Sequence, residues 1–332
     1  MACTRLFLGG LVLIGLLAAC AEQSAEPPMP LAASEPPAST LFWAVDRHLS
    51  TGSWPEPSHW GEQEAAATAI AVVNERLLFG TEIGLVQQLT PIEVAAGGRL
   101  APTRRVQLGC QIKAMVGADS ELWALFRPCA GDELHLAALR LPALSILTER
   151  SMGRDHGGPV ALAKMGNHLF VMRSDPFELL RVRLADLVID GQLDLRQGAR
   201  PAYGYGELLV VDELLWVIDR YADRLIQVRP QGPGLDFSRT FASFDLPGAI
   251  GGCRAGQGSV YCLAGSSVYA LEAGSLRARL LYTAHSRLQS LLVDGASLLI
   301  ADSDRTLRLD LQSGEVNEVA SHPLPSLITR LP

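Results

Sequence analysis

Three observations predict that this chain is an all-β protein. A hairpin pattern, in which an apolar strand, a short polar turn and a second apolar strand follow one another, occurs six times. The copies recur at a nearly constant interval, which indicates a repeat architecture. No amphipathic helix of convincing length separates them, which disfavours a sheet with crossover helices. The sequence therefore predicts a β-propeller of six four-stranded blades, with seven blades as the alternative.

The clearest copy of the hairpin is residues 214–228. Its first strand is a run of five apolar residues that ends at Asp219, and such a run predicts a strand buried on both faces. Its second strand, residues 224–228, is only partly apolar and is predicted to be half exposed. The pattern returns at residues 298–310, which is why we treat it as a repeat.

Each copy carries a marker, a large apolar side chain inside the second strand of its hairpin. The steps between successive markers are 44, 47, 46, 45 and 39 residues, the period of a four-stranded blade. The third and fourth strands are less hydrophobic, so polarity is predicted to rise from the first strand to the fourth. The markers are Phe79, Trp123, Phe170, Trp216, Tyr261 and Ile300, and the first strands are predicted at 67–73, 112–116, 160–164, 208–211, 249–253 and 288–293.

Closure of the ring has two possible forms in the sequence. Residues 41–47 copy the second strand of the repeat. They either complete the last of six blades or join residues 327–331 in an incomplete seventh blade, and we favour six. Residues 50–61 are predicted to form a loop.

Two of the blades resemble a known repeat. Residues 215–219 and 224–228 are similar to the NHL repeat, in which a strand ending in Asp is followed by a basic, aliphatic, Gln-Val strand. Residues 299–316 resemble it too, whereas the other four copies lack the Asp at that place. The resemblance implies a six-bladed NHL-like, or TolB-like, propeller.

The N-terminus predicts the compartment. Arg5 precedes an apolar run, residues 6–17, which is too short to span a bilayer and fits a cleavable signal peptide. The cut site Leu-Ala-Ala-Cys resembles the lipobox of bacterial lipoproteins, and this resemblance implies that Cys20 carries the acyl chains, palmitate among them. The alternative is an ordinary secretory signal with a chance Cys. Ala21 implies sorting to the outer membrane, with the protein facing the periplasm or the cell surface.

The chain therefore divides into a signal peptide at 1–19, a tether at 20–40 and a propeller domain at 41–332. The tether is rich in Pro, Ala and Glu and has too few large apolar groups to pack. The net charge of -7 makes nucleic acid a poor partner.

The four cysteines of the propeller domain predict two disulfides. Cys253 and Cys262 are symmetric about a predicted turn, as are Cys110 and Cys129, so each pair is expected to lie on paired strands. An even number of cysteines also fits an oxidising compartment. The alternative is four free buried thiols.

Acidic and basic residues near strand ends form a candidate binding face. We expect them to line one mouth of the ring, and Trp54 and Trp60 to make exposed contacts from the predicted loop. The alternative for the three Asp-Arg pairs, at 46–47, 219–220 and 304–305, is a turn in which the Asp carboxylate accepts hydrogen bonds from nearby backbone N–H groups. The polar candidates are Asp46, Asp219, Arg220, Asp302, Asp304 and Arg305.

Three functions remain open at this stage. The favoured one is a non-enzymatic, lipid-anchored binding or scaffold module for a protein, peptide or glycan of the envelope. The second is an NHL-type, lactonase-like hydrolase with calcium at the central mouth, although the Glu, Asn and Asp ligand set of such enzymes is not visible here. The third is a subunit of an outer-membrane assembly machine, whose known lipoprotein propeller has eight blades. The sequence thus predicts no cofactor, with calcium as the alternative.

Overall fold

The structure, a computed structural model, describes most of the chain between residues 41 and 330. For residues 41–45, 48–53, 56–62, 206, 224, 236–241, 272 and 327–330 it describes the backbone alone. The described residues are 41–45, 48–53, 56–62, 65–74, 76–89, 102–154, 156, 158, 160–196, 206–211, 213–219, 224–230, 235–241, 250–272, 278–321, 324 and 327–330.

All regular elements in these ranges are β-strands. In chain order they are β1 (Leu41–Val45), β2 (His48–Ser53), β3 (Glu56–Glu62), β4 (Ala67–Val73), β5 (Arg76–Thr81), β6 (Leu85–Leu89), β7 (Arg104–Gln107), β8 (Gln111–Ala118), β9 (Glu121–Arg127), β10 (Glu133–Arg140), β11 (Ser145–Arg154), β12 (Ala161–Met165), β13 (His168–Ser174), β14 (Phe177–Arg183), β15 (Ile189–Asp194), β16 (Gly206–Val211), β17 (Leu214–Asp219), β18 (Arg224–Arg229), β19 (Asp236–Phe241), β20 (Ile250–Gly256), β21 (Ser259–Ala264), β22 (Ser267–Glu272), β23 (Ala278–Thr283), β24 (Ser290–Asp294), β25 (Ser297–Ala301), β26 (Thr306–Asp310), β27 (Val316–Ala320) and β28 (Leu327–Arg330).

The strands form seven four-stranded antiparallel sheets, which we call blades 1 to 7. Blades 2 to 7 each contain four consecutive strands: β4–β7, β8–β11, β12–β15, β16–β19, β20–β23 and β24–β27. Blade 1 has the order β28-β1-β2-β3 and so combines both ends of the domain. The all-β propeller is confirmed, and each of the six predicted repeats forms one blade. The seventh sheet means that the alternative count of seven describes the ring.

The first strand of every blade lies innermost and contacts the first strand of each neighbouring blade. The contacts run from β4 through β8, β12, β16, β20 and β24 to β28, and β28 contacts β4. In the described part of the chain the ring is therefore closed, and the C-terminal strand is the element that closes it. Pairing of Leu41–Val45 with Leu327–Arg330 is the seven-blade alternative from the sequence.

The hydrophobic core lies between blades rather than inside one of them. One cluster joins Leu78 of blade 2 to Ile112 of blade 3, and another joins Phe170 of blade 4 to Leu215 of blade 5. A single blade would expose both faces of its sheet, so each blade is stabilised by its neighbours. Neighbouring blades bury the markers Trp123 and Trp216, which are 2% and 0% exposed.

The burial of individual strands corrects two predictions. Leu225–Val228 on β18 are all buried, not half exposed, because blades 4 and 6 cover the two faces of blade 5. Polarity does not rise steadily outwards either. The second and third strands are the most buried, whereas first strands such as β8 and β12 are partly exposed near the axis. The fourth strands β11 and β15 face water, as predicted.

The predicted loop at residues 50–61 is also wrong. It contains most of β2 and β3, which pair with each other as the third and fourth strands of blade 1. Two Gly and two Pro residues in this segment hid the strand pattern, since such residues are typical of loops.

The antiparallel order gives the ring two faces. The turns between second and third strands, and the links from one blade to the next, lie at one side, which we call the loop face. The turns that follow first and third strands lie at the other side, which we call the hairpin face. The position of a residue next to its strand therefore assigns it to a face.

Candidate functional site

The described members of the predicted binding face lie on the loop face. Asp219 ends β17 in blade 5, and Asp302 follows β25 in blade 7. Both are buried, with 2% and 4% of their surface exposed. Asp304 is exposed and Arg305 is half-buried. The mouth therefore presents Asp304 and Arg305 to solvent, whereas Asp219 and Asp302 lie inside.

The carboxylate of Asp302 organises its own turn. Its Oδ1 accepts hydrogen bonds from the backbone N–H groups of Asp304 and Arg305, both at 2.9 Å. Its Oδ2 accepts one from the hydroxyl of Ser286 at 2.7 Å. Burial alone would raise the pKa of Asp302, but these hydrogen bonds and the nearby Arg305 outweigh it and hold the pKa below its ordinary value. The carboxylate that organises this turn is therefore Asp302, two residues before the Asp of the predicted Asp304-Arg305 turn.

The structure does not bring the polar candidates together into one cluster. Asp219 belongs to blade 5 and Asp302 to blade 7, so blade 6 separates them. Asp46, Arg220 and Trp54 lie outside the described residues. Trp60 is on the outermost strand of blade 1, where only the backbone is described.

Both predicted disulfides are present. Cys253 and Cys262 are directly opposed on β20 and β21 and are buried between blades 5 and 6. Cys110 and Cys129 are also bonded, but they lie just beyond the ends of β8 and β9 instead of within them. This second bond is exposed and joins the link into blade 3 to a turn of the same blade on the loop face.

A cavity of about 210 Å³ opens on the hairpin face between blades 4 and 5. Three apolar side chains and three polar ones meet there, which is the usual composition of a small-ligand site. The lining residues are Met165, Gly166, Asn167, His168, Phe170, Glu213 and Pro230.

A row of charged groups supports one wall of this cavity. Nε of Arg181 donates to Oδ1 of Asp190 at 2.8 Å, and Oδ2 of Asp190 lies 3.2 Å from Nε2 of His168. Burial alone would raise the pKa of Asp190, but the hydrogen bond and charge of Arg181, together with His168, hold it below its ordinary value. An ionised carboxylate only accepts hydrogen bonds, so the tautomer of His168 that fits this contact carries its hydrogen on Nε2.

Sequence reasoning missed this arrangement, because the seven histidines looked scattered. His168, Arg181 and Asp190 lie on three successive strands of blade 4 and meet only once the register is known. The one available signal was Gly191 beside Asp190. A Cβ at Gly191 would lie 3.3 Å from Nε of Arg181, so glycine leaves room for the buried guanidinium.

Two further features bear on membranes and metals. The described ranges include no helix that is long and apolar enough to span a bilayer. Among the same residues, no group of three or more His, Cys, Asp or Glu side chains is placed to hold a metal ion.

Solved structures share this fold at low sequence identity. A functionally unknown protein from Desulfotomaculum acetoxidans has a TM-score of 0.64 at 14% identity, over 88% of this chain and 98% of that one. The Swd1 (Cps50) β-propeller domain from Myceliophthora thermophila has a TM-score of 0.59 at 11% identity, over 85% and 92%. BamB from Moraxella catarrhalis has a TM-score of 0.55 at 14% identity, over 87% and 85%.

These likenesses establish the class of protein, a β-propeller. No protein-family model and no curated protein sequence matches the chain. At such identities the solved structures show the fold alone, since one fold hosts many functions.

Proposed function

We propose that the chain is a lipid-anchored scaffold of the bacterial cell envelope that binds a protein partner on its loop face. The supporting observation is that the loop face is held in shape. The Cys110–Cys129 bond joins two of its loops, and the buried carboxylate of Asp302 fixes a third. A surface that is ordered before binding loses less conformational entropy when a partner docks.

The fold neighbours support a binding role in general terms. BamB from Moraxella catarrhalis and the Swd1 β-propeller domain share the fold of this chain. A rigid ring with variable loops suits partner binding better than it suits any one reaction. The exposed Asp304 and the half-buried Arg305 provide polar contacts at the rim.

The compartment belongs to the same proposal. Two disulfides among the described residues favour an oxidising location. The lipobox-like Leu-Ala-Ala-Cys implies acylation of Cys20, and residue 21 implies the outer membrane. We propose in addition that blades 5 and 7 are NHL-like repeats of this envelope lipoprotein.

Site-specific photo-crosslinking in intact cells tests the partner. The crosslinking amino acid is placed at Asp132 or Asp304 on the loop face, and at Glu315 on the hairpin face as the matched exposed control. The proposal predicts one discrete crosslinked protein from both loop-face positions and none from the control. Equal yields from the two faces, or no product from the loop face, contradict it.

Labelling with a radioactive or alkyne-bearing fatty acid tests the anchor. The wild-type chain is expected to take up label and to fractionate with membranes. The Cys20→Ser variant is expected to lose both properties while its propeller domain stays folded. Equal labelling of the variant would overturn the lipid anchor but not the binding role of the loop face.

A further inference from the structure

The cavity between blades 4 and 5 has a fixed shape. Nη1 of the buried Arg181 donates to the backbone oxygen of Pro230 at 2.9 Å, so a side chain of blade 4 holds a lining residue of blade 5 in position. The same guanidinium holds Asp190, which in turn orients the ring of His168. The wall of the cavity is thus ordered by bonds that do not involve a ligand.

One carboxylate at the mouth of the cavity has no basic partner among the described residues. Arg181 is paired with Asp190 at 2.8 Å, and Arg183, which lies opposite His168 in the register, is paired with Asp186 at 2.7 Å. The charges within each of these two Arg–Asp pairs cancel. Glu213, exposed at the mouth, remains, and no side chain in the described part of the chain is paired with it.

The other groups of the lining fit the stem of a ligand. Met165, Phe170 and Pro230 offer apolar surface. His168, whose Nε2 contacts Asp190, offers Nδ1 as an acceptor in the tautomer that fits this contact. The volume of about 210 Å³ is below the roughly 300–1,000 Å³ of sites for drug-sized ligands. The cavity therefore suits a small group, not a large cofactor.

We propose that this cavity binds a small organic cation, a protonated amine or guanidinium group on an apolar stem. The stem packs on Met165 and Phe170, and the charged head donates hydrogen bonds to the carboxylate of Glu213 and to His168. A cation at this position neutralises the uncompensated charge, whereas a carboxylate of the same size is repelled. The head belongs either to a free amine or to a Lys or Arg side chain of a protein.

This site is separate from the proposed partner surface, because it lies on the opposite face of the ring. A failure of one proposal therefore leaves the other standing. Glu213 begins the second half of the hairpin in blade 5, on an exposed turn, so its substitution does not disturb the core. Glu121 is the first residue of β9, directly after the equivalent turn of blade 3, and lies outside the cavity, which makes Glu121→Gln the control.

Saturation-transfer NMR on the full chain in detergent at pH 8 tests the site. The probes are benzylamine, its neutral analogue benzyl alcohol, and the peptides Gly-Lys-Gly and Gly-acetyl-Lys-Gly. Benzylamine is expected to bind about tenfold more tightly than benzyl alcohol, the effect of one hydrogen bond to a charged group. Glu213→Gln is expected to remove that difference, and Glu121→Gln to keep it.

The peptides distinguish the two sources of the cation. Binding of both benzylamine and Gly-Lys-Gly indicates that either source is accepted, and binding of Gly-Lys-Gly alone indicates a protein side chain. Binding of benzylamine alone indicates a free amine. Equal binding of amine and alcohol, no transfer to any probe, or an unchanged preference in Glu213→Gln would overturn the proposal.

Discussion

Asp302 is the residue that best links sequence to structure in this chain. It lies at the end of a buried strand, and its carboxylate receives two backbone N–H groups and a hydroxyl within 2.9 Å. These three donors replace the hydrogen bonds to water that the carboxylate loses when it is buried on folding. Its role is to shape the turn that presents Asp304 and Arg305.

Replacing Asp302 by Ala tests this role. The substitution leaves two backbone N–H groups and the hydroxyl of Ser286 without their acceptor, so we expect the free energy of unfolding to fall by about 1–3 kcal/mol. Urea denaturation followed by tryptophan fluorescence measures the change. Asp304→Ala on the exposed side of the same turn is the control and should change stability by less than about 0.5 kcal/mol.

The pH dependence of stability gives a second prediction for Asp302. The pKa of this group is lower in the folded chain than in the unfolded one, so its contribution is fully present above about pH 4 and is lost as the pH falls through the folded pKa. The advantage of wild type over Asp302→Asn should therefore be constant from pH 7 to pH 5 and shrink below pH 4. An advantage that grows on acidification would contradict the assignment.

Residue-scale prediction from the sequence succeeded where bonds are local and failed where they cross strands. A turn held by an Asp carboxylate was considered for the Asp304-Arg305 pair, because such bonds are local. The structure places the accepting carboxylate at Asp302, whose donors lie two and three residues further along the chain. The row of Arg181, Asp190 and His168 was not foreseen, because its members meet through the pairing of β13, β14 and β15. A one-residue error in that register would place them on opposite faces.

Packing between neighbouring blades depends on close approach of their first strands. Gly117 on β8 lies so near Val73 on β4 that a Cβ at position 117 would be 2.0 Å from Cγ2 of Val73. With Val73 truncated to Ala, the closest remaining atoms would be 3.3 Å away. The pair thus specifies how blades 2 and 3 meet.

A double-mutant cycle tests this contact. Gly117→Ala should lower the free energy of unfolding by about 1–3 kcal/mol through overpacking. Val73→Ala should also destabilise, since Val73 is buried. The double variant should lose less than the sum of the two, with a coupling of at least about 1 kcal/mol. Additive losses in urea denaturation would show that the two residues do not touch.

The two disulfides should differ in what they stabilise. The Cys110–Cys129 bond closes the longer loop but lies at the surface. Its removal should lower the free energy of unfolding by about 3 kcal/mol, because the unfolded chain gains conformational entropy. Removal of Cys253–Cys262 also loosens the core between blades 5 and 6, so it should cost more although its loop is shorter. Denaturation of the two Cys-to-Ala pairs gives the order, and a larger loss for the surface pair would contradict it.

Element-scale prediction from the sequence was accurate for hairpins and poor for blade 1. The six first strands were placed within a few residues because apolar runs and turn residues mark them. β2 and β3 were missed because their sequences contain Gly, Pro and Ser, which are common in loops. β28 was recognised only as an alternative, since four residues carry little pattern.

The whole molecule depends on closure by both ends of the chain. β28 pairs with β1 and contacts the first strands of blades 2 and 7, so four residues complete two blade interfaces. The sequence allowed two forms of closure, and pattern alone favoured six blades, whereas the described residues form seven sheets. Pairing between the two ends of the domain, such as Leu41 with Arg330, leaves no local signal in the sequence. The repeat length predicted four-stranded blades, but only the structure showed that both ends of the domain combine in one blade to close the ring.

Truncation at the C-terminus tests the importance of closure. A chain that stops after residue 326 lacks β28 and should unfold at a much lower urea concentration, because blades 2 and 7 lose their shared neighbour. A chain that stops after Arg330 retains the strand and is the control. Similar midpoints for the two chains would show that β28 is dispensable.

Hydrogen exchange of the full chain under native conditions tests the closed seven-bladed ring most directly. If both ends belong to the ring, the amides of Leu41–Val45 and Leu327–Arg330 that pair with each other exchange slowly and lose protection together as urea is added. Rapid exchange in these two segments, while Leu214–Asp219 in blade 5 remains protected, would contradict the account.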